Sequence, residues 1–299
     1  MNPIRLLAHA LVPLALAGLA VAASVSPTPQ DRTKTLRFTG IPNNNSTELA
    51  EKYRPLAAHL SERLGVPVEY VPSADYGASV EAFKNGDVQL AWFGGLTGVR
   101  ARAAVEGARV IACGKVDPHF KSYFIANKAS GIERGAEFPL GLAGKKFTFG
   151  SDSSTSGRLM PEYFIRKFTK KSPKEFFGSE MNFSGAHDKT AALVQAGTFD
   201  AGAIDYTTYD RLVKEKKVDP ELCRIVWVTP QYTDYHFTAH PSLETSFGAG
   251  FTAKLQSALV AIEDPALLAA MDRPDGLITA KNEDFEGLRA VALELKLVR

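Results

Sequence analysis

Stretches with the pattern of strands and stretches with the pattern of helices alternate along most of the chain. Short apolar runs, such as the one in TLRFTGI at residues 35–41, have the length and composition of buried strands. The stretch from Ser46 to Gly65 instead carries apolar residues three and four positions apart, which is the period of an amphipathic helix. Strands that alternate with helices predict a mainly parallel sheet with helices on both faces.

This alternation occurs twice. The first series ends with the strand-like SYFIAN at residues 122–127, and the glycine-rich stretch after it is interpreted as a crossing into a second series. Two such series predict an α/β protein with two lobes and a ligand cleft between them. We predict a first lobe at residues 35–128, a second lobe at 129–229, and a return to the first lobe with C-terminal helices at 230–299.

The first 23 residues have the layout of a secretory signal peptide. A positive charge at Arg5 precedes an apolar run that ends in small residues, which predicts cleavage after Ala22 or Ala23. A transmembrane anchor is the alternative, but the run is short and is interrupted by a histidine and a proline. We therefore expect an exported protein in which residues 24–34 form a polar linker.

Composition and spacing argue against several classes of function. Of the 299 residues, 45% are hydrophobic and 23% are charged, and the formal net charge is only +2, so no basic excess indicates a nucleic-acid partner. Cys113 and Cys223 lie in separate strand-like runs; a disulfide would be compatible with export, but two buried free thiols are the favoured prediction. The sequence lacks the spacings of a zinc site, a P-loop or a nucleophile elbow. We predict no metal, no cofactor and no enzymatic activity.

Four hydroxyl side chains precede a predicted helix in the second series. They are Ser153, Ser154, Thr155 and Ser156, and Gly157 follows them. The first N–H groups of a helix have no partner within the helix and carry a partial positive charge, so hydroxyls placed there complete a site for an anion. A single serine is enough to cap a helix. The pattern alone leaves both a plain cap and an anion site open.

Four further residues lie at junctions between predicted elements. Tyr76 and Asp205 stand where a strand passes into a helix, His187 precedes another helix, and Tyr123 begins the last strand of the first series. Ligands of such sheets bind beyond the carboxyl ends of the strands, which makes all four candidates for the cleft. The alternatives are core packing for the tyrosines, a surface loop for His187 and an ordinary helix cap for Asp205.

Four short motifs follow one another along the chain: DY at residues 75–76, AWFGG at 91–95, SSTSG at 153–157 and AHDKT at 186–190. With these motifs, the sequence resembles the periplasmic phosphonate-binding proteins of ABC transporters over essentially all of the chain after the signal peptide. Within the family, the sequence is most similar to a branch usually named for selenate. The resemblance implies a two-lobed binding protein of type II, with lobes joined by two or three hinge strands.

The resemblance also implies a ligand site and partners. The residues that match the oxyanion site of the family are Ser154, Thr155, Ser156, Tyr76, Tyr123, His187 and Asp205. The expected ligand is a small oxyanion, which a monomeric periplasmic protein delivers to a permease in the inner membrane. The alternative is a sensor of an oxyanion or of arsenite that presents its closed form to a histidine kinase. Arsenite-sensing relatives use a cysteine near the ligand, which makes Cys113 the candidate here.

The chemistry expected at Asp205 narrows the choice of ligand. A carboxylate that faces an oxyanion can accept a hydrogen bond only from a ligand that carries a proton, and against a bare dianion it would be a costly buried charge. Phosphonate, phosphite and hydrogen phosphate carry such a proton near neutral pH, whereas sulfate and selenate do not. If Asp205 faces the ligand, the site should therefore select a protonated phosphorus oxyanion, despite the similarity to the branch named for selenate.

Overall fold

The computed structural model describes residues 34–298, so the predicted signal peptide and almost all of the predicted linker lie outside the described residues. The strands of this part of the chain are β1 (Leu36–Gly40), β2 (Val68–Tyr70), β3 (Leu90–Phe93), β4 (Arg109–Gly114), β5 (Ser122–Asn127), β6 (Phe147–Phe149), β7 (Asn182–Phe183), β8 (Ala201–Asp205), β9 (Cys223–Val228), β10 (His236–Ala239) and β11 (Leu277–Thr279). The α-helices are α1 (Ser46–Leu64), α2 (Tyr76–Lys84), α3 (Gly95–Ala104), α4 (Met160–Thr169), α5 (Pro173–Phe177), α6 (His187–Gln195), α7 (Tyr206–Lys214), α8 (Ser242–Phe247), α9 (Phe251–Val260), α10 (Pro265–Ala270) and α11 (Glu286–Glu294). Among residues 34–298, no helix combines the length and apolarity needed to cross a membrane.

The strands form two mixed sheets, one in each lobe. The first sheet has the order β11-β4-β10-β3-β1-β2, and the second has the order β7-β6-β8-β5-β9. In the first sheet, β10 and β11 run antiparallel to their neighbours, and in the second sheet β5 does so. The predicted α/β architecture with two lobes is confirmed. The prediction of mainly parallel sheets is wrong, since only four of the nine strand pairs among residues 34–298 are parallel. The strands that the chain enters after each crossing, β5 and β10, run antiparallel to their neighbours.

The chain crosses between the two sheets at residues 115–121 and again at residues 229–235. The strand β5 was predicted to end the first lobe, but it pairs with β8 and β9 in the second sheet. A continuous apolar run suits a central strand of either sheet, so the local pattern did not reveal which sheet contains it. The crossing therefore lies before β5 rather than after it, and the other predicted lobe boundaries stay predictions.

An apolar core packs against each sheet. It fixes the ends of the strands from which the turns at the cleft begin. The core of the first lobe lies between its sheet and helices α1, α9 and α10, and that of the second lobe includes residues of α4 and α5. The turns that follow β3 and β8 lead directly into α3 and α7, and the hydroxyl-rich turn follows β6. These turns lie at the carboxyl ends of their strands, where α/β proteins bind ligands.

Candidate functional site

The hydroxyl-rich turn leads into a helix whose first turn is wider than an α-helix. Residues Thr155–Leu159 form a π-helical turn that continues into α4, and the N–H of Leu159 donates to the carbonyl of Ser154, five residues earlier, at 3.0 Å. Such single π turns often occur at functional sites. Gly157 permits the close packing here, because a Cβ at this position would lie 3.0 Å from the Cα of Gly150 and 3.1 Å from the ring of His187.

The three consecutive hydroxyls of the turn have three different environments. Ser154 caps the helix, since its Oγ accepts the N–H of Gly157 at 2.9 Å. Thr155 Oγ1 accepts the N–H of Leu96 at 2.9 Å, and Leu96 belongs to the first turn of α3 in the other lobe. Ser156 Oγ is buried without a hydrogen-bond partner in the described part of the chain. One hydroxyl is enough for the cap, so the free Ser156 favours an anion site over a plain cap.

Six buried side-chain polar atoms have no hydrogen-bond partner among residues 34–298. Two of them are Thr238 Oγ1 and Arg158 Nε, whose guanidinium is otherwise bonded to Asp152 and Glu162, and the other four form a cluster around the turn. They are Tyr76 Oη, Ser156 Oγ, His187 Nε2 and Asp234 Oδ2. None of the four residues is more than 1% exposed. An unpaired buried polar group costs about 1–3 kcal/mol, and native proteins contain few of them. Four in one place indicate a small polar ligand that pairs with them.

The surroundings of Tyr76 place it in this cluster, although it belongs to the first lobe. Burial raises the pKa of Tyr76 well above its usual value, and the nearby carboxylates of Asp205 and Asp234 add to this effect. Asp205 belongs to the second lobe and Asp234 to the segment that crosses between the lobes, so the cleft is closed around Tyr76. The phenol keeps its proton and is available as a donor.

Asp205 is the N-cap of α7, and both of its oxygens are occupied. Oδ1 accepts the Thr208 N–H at 2.6 Å and the Thr207 hydroxyl at 2.8 Å, and Oδ2 accepts the Thr208 hydroxyl at 2.7 Å. Burial raises the pKa of Asp205, but the nearby imidazole of His187 and these hydrogen bonds outweigh it and hold the pKa below its usual value. The helix-cap alternative is therefore the one observed. Its oxygens already have donors, so the structure does not support Asp205 as the residue that accepts a proton from the ligand.

His187 is oriented by Asp205 and presents one N–H group. Its Nδ1 accepts the backbone N–H of Asp205 at 3.3 Å, which assigns the proton of the neutral ring to Nε2. Burial lowers the pKa of His187 more than the carboxylates of Asp205 and Asp188 raise it. The ring is therefore neutral at neutral pH. Nε2 lies 3.2 Å from Asp205 Oδ2 but forms no hydrogen bond with it. The Nε2–H group is therefore available to a ligand.

Asp234 is the acidic residue of the cluster that keeps a free oxygen. Its Oδ1 accepts the N–H of Gly95 at 2.8 Å, whereas its Oδ2 has no partner among the described residues. Burial raises the pKa of Asp234 to about 7, with Asp117 and Asp205 adding to the rise and hydrogen bonds from Gly95 and Thr155 opposing it. Near neutral pH, Asp234 can therefore either accept or donate a proton.

Asp234 is not among the residues that the sequence predicts for the site. It precedes β10 within a segment that crosses between the lobes, where no following helix marks the position. The signal in the sequence is the dipeptide Asp234-Tyr235, which repeats the pair Asp75-Tyr76.

Tyr123 does not reach the cluster, contrary to the prediction. Successive side chains of a strand point to opposite faces of the sheet. On β5, Ser122 donates from Oγ to the Ser156 carbonyl at 2.7 Å, while Tyr123 Oη donates to Asp210 at 3.4 Å. Ser122 also shares a hydrogen bond with Tyr232 Oη at 2.5 Å. The strand was identified correctly, but the residue of β5 that contacts the hydroxyl-rich turn is Ser122 rather than the predicted Tyr123.

A buried ion pair lies behind the site. Arg273 donates from Nε and Nη2 to the Asp117 carboxylate at 2.8 and 2.6 Å, and its guanidinium carbon lies 4.8 Å from the centroid of the Tyr235 ring. The main-chain carbonyl of Asp117 accepts the N–H of Asp234 at 3.1 Å. The pair therefore fixes the crossing segment that carries Asp234 and Tyr235.

The chain is similar to a known protein family and to individual relatives. The family described as the periplasmic substrate-binding protein of phosphonate ABC transporters matches residues 38–285. A probable phosphite-binding protein of an ABC transporter from Prochlorococcus marinus is 35% identical over 279 residues, which cover 89% of this chain and 91% of the relative. A phosphate-import protein from Mycolicibacterium smegmatis is 30% identical over 297 residues, which cover 91% of each chain.

Solved structures give the same result. The structure of the Prochlorococcus marinus protein in complex with methylphosphonate has a TM-score of 0.84 at 35% identity, and the match covers 89% of this chain and 100% of that one. A binding-protein component of a phosphonate ABC transporter from Pseudomonas aeruginosa has a TM-score of 0.75 at 19% identity, with 87% and 86% covered, and supports the fold. The chain belongs to the family of periplasmic phosphonate-binding proteins of ABC transporters.

Proposed function

We propose that this protein captures a compact, singly protonated phosphorus oxyanion, such as phosphite or methylphosphonate, in the periplasm and delivers it as a monomer to an ABC permease. The observation that carries the proposal is the cluster of four buried polar atoms without partners. Tyr76, Ser156 and His187 supply donors, and Asp234 supplies a group that titrates near neutral pH. The names of the relatives, which refer to phosphite, phosphate and methylphosphonate, point to the same chemistry.

The donors of these four residues can bind an anion although none of the four is a lysine or an arginine. Hydroxyl and imidazole donors, together with the start of the π-helical turn at Thr155, stabilise negative charge as helix starts do. One proton is enough for Asp234 and the ligand to form a hydrogen bond, whichever of the two carries it. A phosphorus oxyanion can bring that proton itself, whereas sulfate and selenate depend on a protonated Asp234 and would face a second negative charge once the pH exceeds its pKa of about 7. We therefore do not extend the proposal to selenate.

The burial of the site limits the size of the ligand. All four polar atoms are inaccessible to solvent in the closed form, and the hydrogen bond between Ser122 and Tyr232 lies beside Ser156. We therefore propose that the substituent on phosphorus is no larger than hydrogen, hydroxyl or methyl. A longer tail would require the lobes to stay partly open, which lowers affinity.

A calorimetric titration of the purified protein tests the proposal. We expect heats of binding from phosphite, methylphosphonate or phosphate at pH 7, and weaker or no binding of 2-aminoethylphosphonate, sulfate, selenate and arsenite. Replacing Ser156 by alanine should weaken binding by about 10- to 100-fold, because it removes a hydrogen bond to a charged group.

Ser153 provides the matched control for this substitution. It lies in the same turn, but its hydroxyl is bonded to Arg100 at 2.7 Å and to Asp152 at 2.9 Å rather than being free. The Ser153→Ala variant should bind with nearly unchanged affinity. Equal losses in both variants would contradict a specific role for Ser156, and tight binding of selenate with none of the phosphorus anions would contradict the proposed ligand.

The two cysteines do not support a thiol-based arsenite site. Cys113 on β4 and Cys223 on β9 are both free, as predicted, and neither is more than 2% exposed. Burial raises the pKa of each thiol to about 12, and only the thiolate is strongly nucleophilic. We expect iodoacetamide to leave both residues unmodified in the native protein at pH 8, as judged by intact mass. Modification of Cys113 accompanied by loss of ligand binding would restore the thiol alternative.

A further inference from the structure

Arg211 on α7 extends from the second lobe to the first without touching the four atoms of the anion site. Its Nη2 donates to Asn44 Oδ1 at 2.6 Å, and its Nε lies 3.1 Å from Asp272 Oδ1. Asn44 precedes α1 and Asp272 follows α10, so both partners belong to the first lobe. A third contact, to Glu215 on its own lobe at 3.2 Å, orients the guanidinium. One side chain thus joins two separate segments across the cleft.

These contacts are largely shielded from water, which separates them from ordinary surface ion pairs. The side chains of Arg211 and Asp272 are 16% and 14% exposed, and Asn44 is 7% exposed. Exposed pairs contribute little to stability, because water competes for both groups and the side chains lose entropy. Charge-assisted hydrogen bonds that are shielded from water are stronger. Opening of the cleft would expose all three residues and break both contacts.

The segment held by Arg211 also touches the anion site. The carbonyl of Asn43, next to Asn44, accepts the backbone N–H of His187 at 3.0 Å. His187 presents one of the four free polar atoms. The turn before α1 is therefore bound twice in the closed form, by the ligand-site histidine and by Arg211.

We infer that Arg211 determines the affinity of this protein for its ligand by stabilising the closed form, without contacting the ligand. The inference rests on the proposed function, because it concerns the affinity for the same anion. Apparent affinity is the intrinsic affinity multiplied by the fraction of molecules in the binding-competent form, so a contact made only on closure strengthens binding of every ligand equally. Such a contact acts mainly on dissociation, since the ligand leaves after the lobes open.

The inference is tested by titrating phosphite and methylphosphonate into the wild-type protein and the Arg211→Ala variant, with dissociation rates measured by competition. We expect both anions to bind about 10- to 100-fold more weakly to the variant. The ratio of their two dissociation constants should stay within about twofold of the wild-type ratio, because the substitution lies outside the anion site. Small-angle scattering at saturating ligand should show that the variant still reaches the compact form.

Lys217 offers a matched control, since it also forms an ion pair across the cleft, with Glu48 at 3.5 Å, but both side chains are about half exposed. The Lys217→Ala variant should change affinity by less than about threefold. If Arg211→Ala does not fold, the variants Asn44→Ala and Asp272→Asn, which each remove one contact, should each weaken binding of both anions by a smaller factor.

The outcomes separate the two proposals. An unchanged affinity and dissociation rate in Arg211→Ala would overturn the inference and leave the proposed function intact. An altered ratio between phosphite and methylphosphonate would also overturn it, because Arg211 would then act on the ligand itself. A wild-type protein that binds neither anion would overturn the proposed function, and with it this inference.

Discussion

Replacing Asp234 by asparagine is expected to abolish the preference of the site for protonated phosphorus anions over sulfate and selenate. The asparagine amide cannot exchange a proton with the ligand, and it no longer places a negative charge against a dianion. The ratio of phosphite to selenate affinity should fall by about 100-fold or more at pH 7.5, through weaker phosphite binding and stronger selenate binding. Isothermal titration of both anions measures the ratio directly.

The pH dependence of the wild-type protein gives an independent check of the same residue. The pKa of Asp234 is raised to about 7 by burial, so below pH 7 either Asp234 or the ligand holds the shared proton. Above pH 7 both groups lose it, and two negative charges then face each other. Phosphite affinity should therefore fall as the pH rises above 7, by at most about tenfold per pH unit, and this fall should flatten in Asp234→Asn.

Asp188 is the control for the loss of a nearby charge. It lies in the first turn of α6 beside His187, and its Oδ1 accepts the N–H of Lys189 at 2.8 Å. The Asp188→Asn variant should keep the wild-type selectivity. If Asp234→Asn continued to exclude selenate, the selectivity would have to arise from the donors Tyr76, Ser156 and His187, and the role assigned to Asp234 would be wrong.

The second large effect, a loss of stability, is expected from a substitution that breaks the buried ion pair between Asp117 and Arg273. Burial lowers the pKa of Arg273, but the adjacent Asp117 more than offsets this, so the guanidinium stays charged. In an Asp117→Asn variant, that charge remains in the interior without a counterion. Removal of one partner of such a pair destabilises proteins by about 3–5 kcal/mol. A decrease of roughly 10 °C in Tm, measured by calorimetry without ligand, is the corresponding result.

Two variants show whether this loss arises from the unpaired charge. Arg224 forms an ion pair with Glu133 at 3.3 Å, and Glu133 is 79% exposed, so Arg224→Ala should cost less than about 1 kcal/mol. The double variant Asp117→Leu with Arg273→Met removes both charges and should recover part of the stability. If Asp117→Asn were no less stable than Arg224→Ala, the pair would not have the structural role assigned to it.

The hydroxyl-rich turn shows what the sequence alone could predict. A cluster of serines and a threonine between a strand and a helix is a local pattern, and the start of a helix constrains its own neighbours, so the position of the turn was predictable. The individual roles were not. Which hydroxyl caps the helix, which binds the other lobe through Leu96 and which stays free depends on the width of the π-helical turn and on how the lobes meet.

Two acidic residues show more clearly which features of the site could not be predicted from the sequence. Asp205 and Asp234 both precede a regular element, but one is saturated by Thr207 and Thr208, while the other keeps a free oxygen. That difference arises from tertiary contacts. In the same way, the continuous apolar run of β5 predicted a strand, but did not specify which sheet it joins or whether Ser122 or Tyr123 faces the cleft.

The nature of the four free polar groups also has a consequence for the range of media in which the protein can work. Hydroxyls and a neutral imidazole attract an anion through short dipolar contacts, which mobile ions outside the closed cleft screen very little. Exposed lysines and arginines would instead lose much of their attraction as ionic strength rises. Capture by this site should therefore depend on the protonation state of the anion far more than on the salt content of the surroundings.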